Sequence, residues 1–327
     1  IRNNADEMLA TDPPSAAKRA QTGGSTGAPL IVWRDQPSVD RAWASYTRLW
    51  TWMGYSPGDP YANLWGMRVV RRPLVARSYA GLMAWARNEH MFNAFLMDHA
   101  RASAYLRQIS DIRPVFLRGY VSALEALART QAEEHHPISV GAVSTTAEML
   151  IPQQRRTIEE AFGCRVFDQY GCGECMAIAY ECEAHSGLHS CAEHCLLEIV
   201  DSRGRPVEGD ETGEVVITDL DNLAMPFIRY KNGDLARWAS ERCPCGRELP
   251  LVKEIIGRVS DMIHGANGQK VHGEFFTHLL EQLEWPAKFK VAQYQVVQAV
   301  DRSIAWKMVS GVRPGEEAVD LFSAKCD

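Results

Sequence analysis

The stretch Thr22-Gly23-Gly24-Ser25-Thr26-Gly27-Ala28-Pro29 has the residue types to hold a polyphosphate. Glycines let successive backbone N–H groups turn into one concavity. The hydroxyls of Ser25 and Thr26 add donors. It is not a GxxxxGK[ST] loop, because no lysine follows Gly27, and a surface turn has the same composition. Glu174 follows a tight Tyr170-Gly171 turn. A carboxylate there suits Mg2+, a hard ion that takes oxygen ligands and bridges to phosphates; an exposed loop glutamate looks alike. Asp234 closes Arg229-Tyr230-Lys231-Asn232-Gly233-Asp234. After a glycine turn its carboxylate can accept from both hydroxyls of a ribose, or form an ordinary Asx turn. Arg258, in Gly257-Arg258-Val259-Ser260-Asp261, can pair with a phosphate or that ribose, or lie on the surface.

A second set is metal-binding in type. Cys243-Pro244-Cys245 is a close pair, and Cys182, His185, His189, Cys191, His194 and Cys195 lie upstream. Two sulfurs from the first group with one sulfur and one histidine from the second complete a tetrahedral zinc site. Cys191 and Cys195 are rival ligands, and reduced, unrelated thiols are the alternative. Cys172 and Cys175 flank Glu174 and read as small buried apolar side chains.

The elements that must position these groups are legible in outline. Leu30-Ile31-Val32-Trp33 reads as a strand. Ser38 is the expected cap of a helix whose Val39, Trp43, Tyr46, Trp50 and Met53 recur at helical spacing, a stripe that reads as core. Gly54 stops it. Ala62 to Met67 is a short strand broken by Gly66, where something can approach closely. The spacing predicts a helix from Met91 to about Ile109, a strand at Val115-Phe116-Leu117, and a helix capped by Ser122. A strand from Ser139 to Ser144, a helix opening near Pro152 and a strand from Cys164 to Asp168 follow. Strands alternating with helices predict a parallel sheet with right-handed crossovers. Ligands sit beyond the carboxyl ends of such strands, where Thr145-Thr146-Ala147-Glu148 and Asp168 to Glu174 fall. Past residue 175, strands at Cys195–Val200, Gly213–Thr218 and Leu235–Trp238 are close enough to be antiparallel. From Gly265 a helix over Gly273 to Leu283 and strands near Val291 and Ile304 suggest a separate small domain.

The 327 residues, 46% hydrophobic and 23% charged, suit a large domain plus a smaller one. A net charge of −6 speaks against broad nucleic-acid or anionic-membrane binding, and no apolar run reaches the roughly 18 residues of a membrane helix. Ile1-Arg2-Asn3-Asn4 is neither a Met start nor a signal peptide, so the chain is expected to begin mid-protein. Nine cysteines without a secretory signal fit a reducing cytoplasm.

In order, the Gly/Ser/Thr loop, Thr146-Ala147-Glu148, Tyr170-Gly171-x-x-Glu174, Arg229-Tyr230-x-x-Gly233-Asp234 and Gly257-Arg258-x-x-Asp261 resemble the motifs of the adenylate-forming superfamily of acyl-CoA synthetases. Trp52-Met53-Gly54-Tyr55, Arg118-Gly119-Tyr120, Met225 to Tyr230 and Cys243-Pro244-Cys245-Gly246-Arg247 are similar to its phenylacetate–CoA ligase-like branch, capsule-biosynthesis-type relatives included. The resemblance covers roughly residues 20–300. It implies an α/β fold: a large AMP-binding domain over 1–260 with parallel sheet layers plus an antiparallel β subdomain. A small α+β C-terminal domain over 261–327 would be incomplete at its end. It implies activation of a small, aromatic carboxylic acid by ATP, with release of pyrophosphate and transfer to CoA. An amine or hydroxyl acceptor, and a nucleotide-binding protein that does not adenylate, are the alternatives. Ser25, Thr26 and Gly27 would hold the ATP phosphates; Ala147, Glu148, Asp168, Tyr170 and Gly171 would frame the adenine and the acyl-adenylate. Glu174 would hold Mg2+, Asp234 the ribose, and Arg258 the ribose or a phosphate. Thr26, Glu174 and Arg258 would be catalytic, and Trp65, Gly66 and Tyr120 would line the acyl pocket. The branch favours Cys182, His189, Cys243 and Cys245 as a closed, structural zinc site. A homodimer is a compatible assembly.

The sequence departs from that pattern in three places. Leu30 stands where a basic residue follows the loop proline, and Ser260 stands at the hinge position usually held by Asp or Lys. No lysine has the Gly-Lys context of the adenylating lysine; Lys325 lacks it.

Overall fold

The structure, a computed structural model, describes residues 4, 7–12, 17–21, 30–66, 81, 82, 84–94, 97–135, 137–258, 262–264, 270–272, 291–299 and 303–310. The chain divides into two compact units, Ile1–Ile256 and Gly257–Asp327.

In the first unit β1 (Lys18–Gln21) and β2 (Ile31–Arg34) pair antiparallel and lead into α1 (Gln36–Trp52). Then come β3 (Tyr61–Trp65), β4 (Glu89–Asn93), α2 (His99–Ile112), β5 (Phe116–Tyr120), α3 (Val121–Glu134), β6 (Ala142–Thr146), α4 (Pro152–Phe162) and β7 (Arg165–Tyr170). Next are β8 (Ala179–Glu181), β9 (Leu188–Ser190), β10 (Cys195–Val200), β11 (Gly213–Asp219), β12 (Tyr230–Trp238) and β13 (Leu251–Arg258), the last running on into the second unit. These form one 11-stranded sheet in the order β10-β11-β12-β13-β9-β8-β7-β6-β5-β3-β4. Strands β3 to β7 pair in parallel. From β7 to β8 the pairing turns antiparallel, so the antiparallel region continues the parallel sheet rather than standing apart.

Alternation along the strands explains the layers. Phe116 of β5 faces the aromatic side of α1, where Tyr46, Leu49 and Trp50 pack with Tyr61, Phe167 and Tyr180. Its neighbour Leu117 faces the other side, with Leu64, Val143 and Val166 and the apolar stripes of α2, α3 and α4. A third cluster, including Val215, Ile217 and Val252, serves the antiparallel half.

Four local expectations change. The cap of α1 is Asp35, whose Oδ1 accepts from the Ser38 N–H at 2.9 Å; Ser38 is itself inside the helix. Asp35 Oδ2 also accepts from the Leu223 and Ala224 N–H groups, at 3.0 and 3.3 Å, tying α1 to a distant loop. Met91 lies in the edge strand β4, and the helix begins only at His99, capped by Asp98; pairing with β3 overrides the local helical spacing. Ser122 does not cap α3, as the Glu148 carboxylate does that from outside. Gly66 follows β3 rather than interrupting it.

In the second unit β14 (Met262–His264) pairs with β15 (Lys270–His272), and β16 (Val291–Gln298) with β17 (Ile304–Ser310), both antiparallel. The helix expected over Gly273 to Leu283 lies outside the described residues. Among the described residues no helix is long and apolar enough to cross a membrane.

Candidate functional site

Strands β6 and β7 end side by side, with Thr145 opposite Asp168 and Thr146 opposite Gln169. Thr145 Oγ1 donates to Asp168 Oδ1 at 2.7 Å. Burial, and then the neighbouring Glu181 carboxylate, push the Asp168 carboxyl up to about 6. Immediately after β6, Ala147 takes a left-handed backbone with φ of 67°, a conformation that costs a non-glycine residue free energy and tends to occur at functional turns. Glu148 is exposed and accepts from Ser122 N at 2.6 Å and Ser122 Oγ at 2.9 Å. One of the residues expected at the adenine thus also supplies the N-terminal acceptor of α3.

At the end of β7, Tyr170 OH donates to Asp234 Oδ2 at 2.6 Å. Asn232 Nδ2 reaches both, at 2.6 Å from Tyr170 OH and 2.7 Å from Asp234 Oδ2. The Asp234 N–H returns to Asn232 Oδ1 at 3.1 Å. Burial and the Asp234 charge raise the Tyr170 phenol well above its ordinary range, so it stays a donor. Gly233 has φ of 86°, the turn that brings Asn232 and Asp234 to one side. Beside them Tyr230 OH donates to Glu174 Oε1 at 2.9 Å, and Arg34 bonds the Gly173 carbonyl. Glu174 is half-buried and held by one oxygen. A carboxylate oriented this way fits a Mg2+ ligand.

The structure therefore brings Asp168, Tyr170, Gly171, Glu174 and Ala147 to the ends of β6 and β7, where Asp234 meets Tyr170 from the middle of β12. Ser25, Thr26 and Gly27 lie outside the described residues. Arg258 ends β13, in the second unit. Trp65 and Tyr120 do meet: their ring centroids are 4.9 Å apart, and Gly66 follows Trp65 directly. Asn232 and Tyr230 lie inside the Arg229–Asp234 motif, and the sequence alone assigns them no role. Their signal was the motif itself, whose alternate residues share a strand face.

The cysteine–histidine set also converges. One ligand atom each from Cys182, His189, Cys243 and Cys245 lies within 4.8 Å of the others. Cys182 Sγ is 3.6 Å from Cys243 Sγ, and Cys245 Sγ is 3.3 Å from His189 Nε2. Four ligands at zinc bond lengths stand about 3.5–3.8 Å apart at tetrahedral corners, so a set of three sulfurs and one imidazole at these distances suits that ion. Burial holds the His189 imidazole below its usual value, in the neutral form a ligand needs. Burial raises Cys182 to about 12 without a metal. Cys245 lies below the usual thiol range, because Arg247 and the neighbouring sulfurs outweigh its burial. Around the set, Arg247 pairs with Glu183 at 2.9 Å and lies 4.3 Å from the centroid of the Trp52 ring. The rivals Cys191 and Cys195 are buried elsewhere, in the aromatic and antiparallel cores.

No family model matches the chain. Over 172 residues it is 32% identical to a phenylacetate–coenzyme A ligase of Thermus thermophilus, covering 49% of this chain and 38% of that protein. Over 270 residues it is 26% identical to the phenylacetate–coenzyme A ligase of Pseudomonas putida, covering 80% of this chain and 59% of that one. The chain thus spans well under two thirds of the length of either relative. The crystal structure of 2-hydroxyisobutyryl-CoA ligase in its postadenylation state superimposes with a TM-score of 0.71 at 19% identity, over 97% of this chain and 68% of that one. The chain is similar over part of its length to phenylacetate–coenzyme A ligases, and its mixed α/β fold is that of the crystallised 2-hydroxyisobutyryl-CoA ligase.

Proposed function

We propose that the protein activates a small aromatic carboxylic acid with ATP and passes the acyl group to CoA. The observation that carries this reading is the Tyr170–Asn232–Asp234 cluster, set beside the Tyr230–Glu174 pair at the end of β7. Asp234 has a carboxylate held in a fixed orientation by Tyr170 and Asn232, which suits contact with a ribose. Tyr170 keeps its proton and its ring, a flat face beside the strand ends. In the first step the acid's carboxylate oxygen attacks the α-phosphorus of ATP, and the bond to pyrophosphate breaks. In the second the CoA thiol attacks the acyl carbonyl, and AMP leaves. Negative charge builds on phosphate oxygens in the first step, so preorganised donors and a cation supply the rate. Mg2+ held by Glu174 would neutralise part of that charge. Ser25, Thr26 and Gly27 would face the outer phosphates, and Arg258 would meet the ribose or a phosphate. Trp65, Gly66 and Tyr120 would take the acyl group.

Cys182, His189, Cys243 and Cys245 would hold zinc as a structural clamp, and cysteines outside disulfides suit a reducing cytoplasm. The structural relative was also crystallised with 2-HIB-AMP and CoA together, which supports CoA as acceptor over an amine or hydroxyl. The test is pyrophosphate exchange on the protein with a panel of carboxylic acids, followed by CoA and detection of the thioester. ATP binding without exchange on any acid would leave the non-adenylating alternative. An amide or ester in place of the thioester would replace CoA as acceptor.

A further inference from the structure

The register of β7 with β8 pairs Gln169 with Tyr180 and Tyr170 with Ala179. Upstream of that ladder, side chains take the backbone groups of β7. The Val166 N–H donates to Glu159 Oε1 at 3.0 Å, and the Val166 carbonyl accepts from Arg155 Nη1 at 2.7 Å. The Asp168 N–H donates to Glu181 Oε2 at 2.8 Å. Continued by one residue, the ladder would set Glu181 opposite Asp168; its side chain takes the N–H instead. Glu181 ends β8 and is 7% exposed. Both its oxygens accept from Arg155 Nη2, at 2.8 and 3.0 Å, and His185 Nδ1 lies 3.4 Å from Oε2. A fixed, charged carboxylate thus stands against the residue that ends beside Thr145.

The two oxygens of Asp168 differ. Oδ1 accepts from Thr145 Oγ1 at 2.7 Å and from the Gln169 N–H at 3.0 Å. Among the described residues Oδ2 has no such partner. The groups that face this carboxyl are Thr145 from β6, Glu181 from β8 and Arg155 from α4. Burial and then the Glu181 charge raise it, and Arg155 opposes them without reversing the shift. Ionised, Oδ2 accepts a hydrogen bond; protonated, the carboxyl becomes a donor. The amino group of adenine is a donor and needs the ionised form.

We infer that Glu181 is a positioning residue of the nucleotide site: it fixes the Asp168 backbone and sets, through its own charge, whether the Asp168 carboxyl accepts from the base. This rests on the reading of Asp168 as an adenine contact and adds the residue that governs it. Recognition of the base then depends on one proton. It weakens as pH falls, and Glu181 brings that weakening nearer to neutrality, because a second negative charge beside the first is disfavoured.

The test titrates adenosine, and purine riboside, which lacks the amino group, into the full chain by calorimetry from pH 8 to pH 5. Neither nucleoside has a phosphate whose own titration would intrude. In the parent protein adenosine should bind about tenfold more weakly at pH 5 than at pH 8, the loss one unit below a midpoint at about 6. Purine riboside should show no such fall. Glu181→Gln keeps an acceptor for the Asp168 N–H and removes the charge, so the midpoint should move down and the loss at pH 5 should shrink to about threefold or less. Arg155→Gln removes the opposing charge and should move the midpoint up, which decides the matter should the first variant not fold. Asp168→Asn cannot titrate and should bind adenosine equally at both pH values. A merely structural Glu181 predicts equal weakening at every pH with the midpoint unmoved, and that result overturns the inference. A flat profile in the parent protein, or a fall shared by purine riboside, also overturns it and leaves the nucleotide reading intact. No binding of adenosine or AMP at any pH removes both.

Discussion

Asp168, half-buried, and Glu181, buried, are neighbouring carboxyls whose surroundings push them apart. Glu181 accepts from Arg155 at 2.8 Å and from the Asp168 N–H at 2.8 Å. Burial raises it, but His185, Arg155 and that N–H outweigh burial and hold it below its usual value. Asp168 goes up to about 6. From an unfolded value of about 4 to that pH the native protein keeps a proton the unfolded chain has released, so stability falls as pH rises through the window. Above it the cost is complete. Asp168→Asn should therefore stabilise by about 2–3 kcal/mol at pH 7.5, from roughly two pKa units, and by almost nothing at pH 4. Thermal melts at the two pH values check this. Glu174→Ala should cut pyrophosphate exchange by about 10²–10³, the size of losing one electrostatic partner of a transition state. Near-parental exchange would take Glu174 out of the metal role. At this scale the sequence was informative about which residues matter and silent about who holds them. Tyr170 and Asp234 stand 64 residues apart, and only the fold makes Asn232 their bridge.

At the scale of elements, strand and helix order was legible because apolar runs and turn residues alternate cleanly from Phe116 to Tyr170. Caps were less so. Ser38 and Ser122 both have the right chemistry, yet Asp35 stands three residues before one, and Glu148 reaches the other across 26 residues. Local propensity cannot see a tertiary competitor. A zinc ion on the cysteine–histidine set would tie β9 to the segment after β8 and to the turn between β12 and β13. Cys243→Ser should lose one equivalent of bound zinc and lower the melting temperature; unchanged metal content would refute the assignment. A tighter joint is Gly119, in β5. A Cβ there would stand 2.8 Å from Leu64 Cβ and 2.9 Å from the Leu64 carbonyl oxygen. Gly119→Ala should cost about 1–3 kcal/mol through this overpacking, read from denaturant melts.

At the scale of the molecule, one sheet of eleven strands runs through the first unit, and the second unit builds separate two-stranded ribbons. Calorimetry should show two transitions, and only the larger should move when a chelator strips zinc. A single transition would mean that the units unfold together. That the antiparallel strands join the parallel sheet was not readable from the sequence, because β8 and β9 are three residues each. Strands so short leave almost no periodic pattern, and it is they that join the two halves.

The double use of Asp35 sets an order of events during synthesis. Its carboxylate starts α1 through Ser38, but its other oxygen waits for the Leu223 N–H, 188 residues downstream. At about 5–20 residues per second, a ribosome needs roughly 10–40 s to deliver that partner. For that interval the aromatic side of α1 emerges with its anchor half made, and a chaperone would meet the newborn chain there.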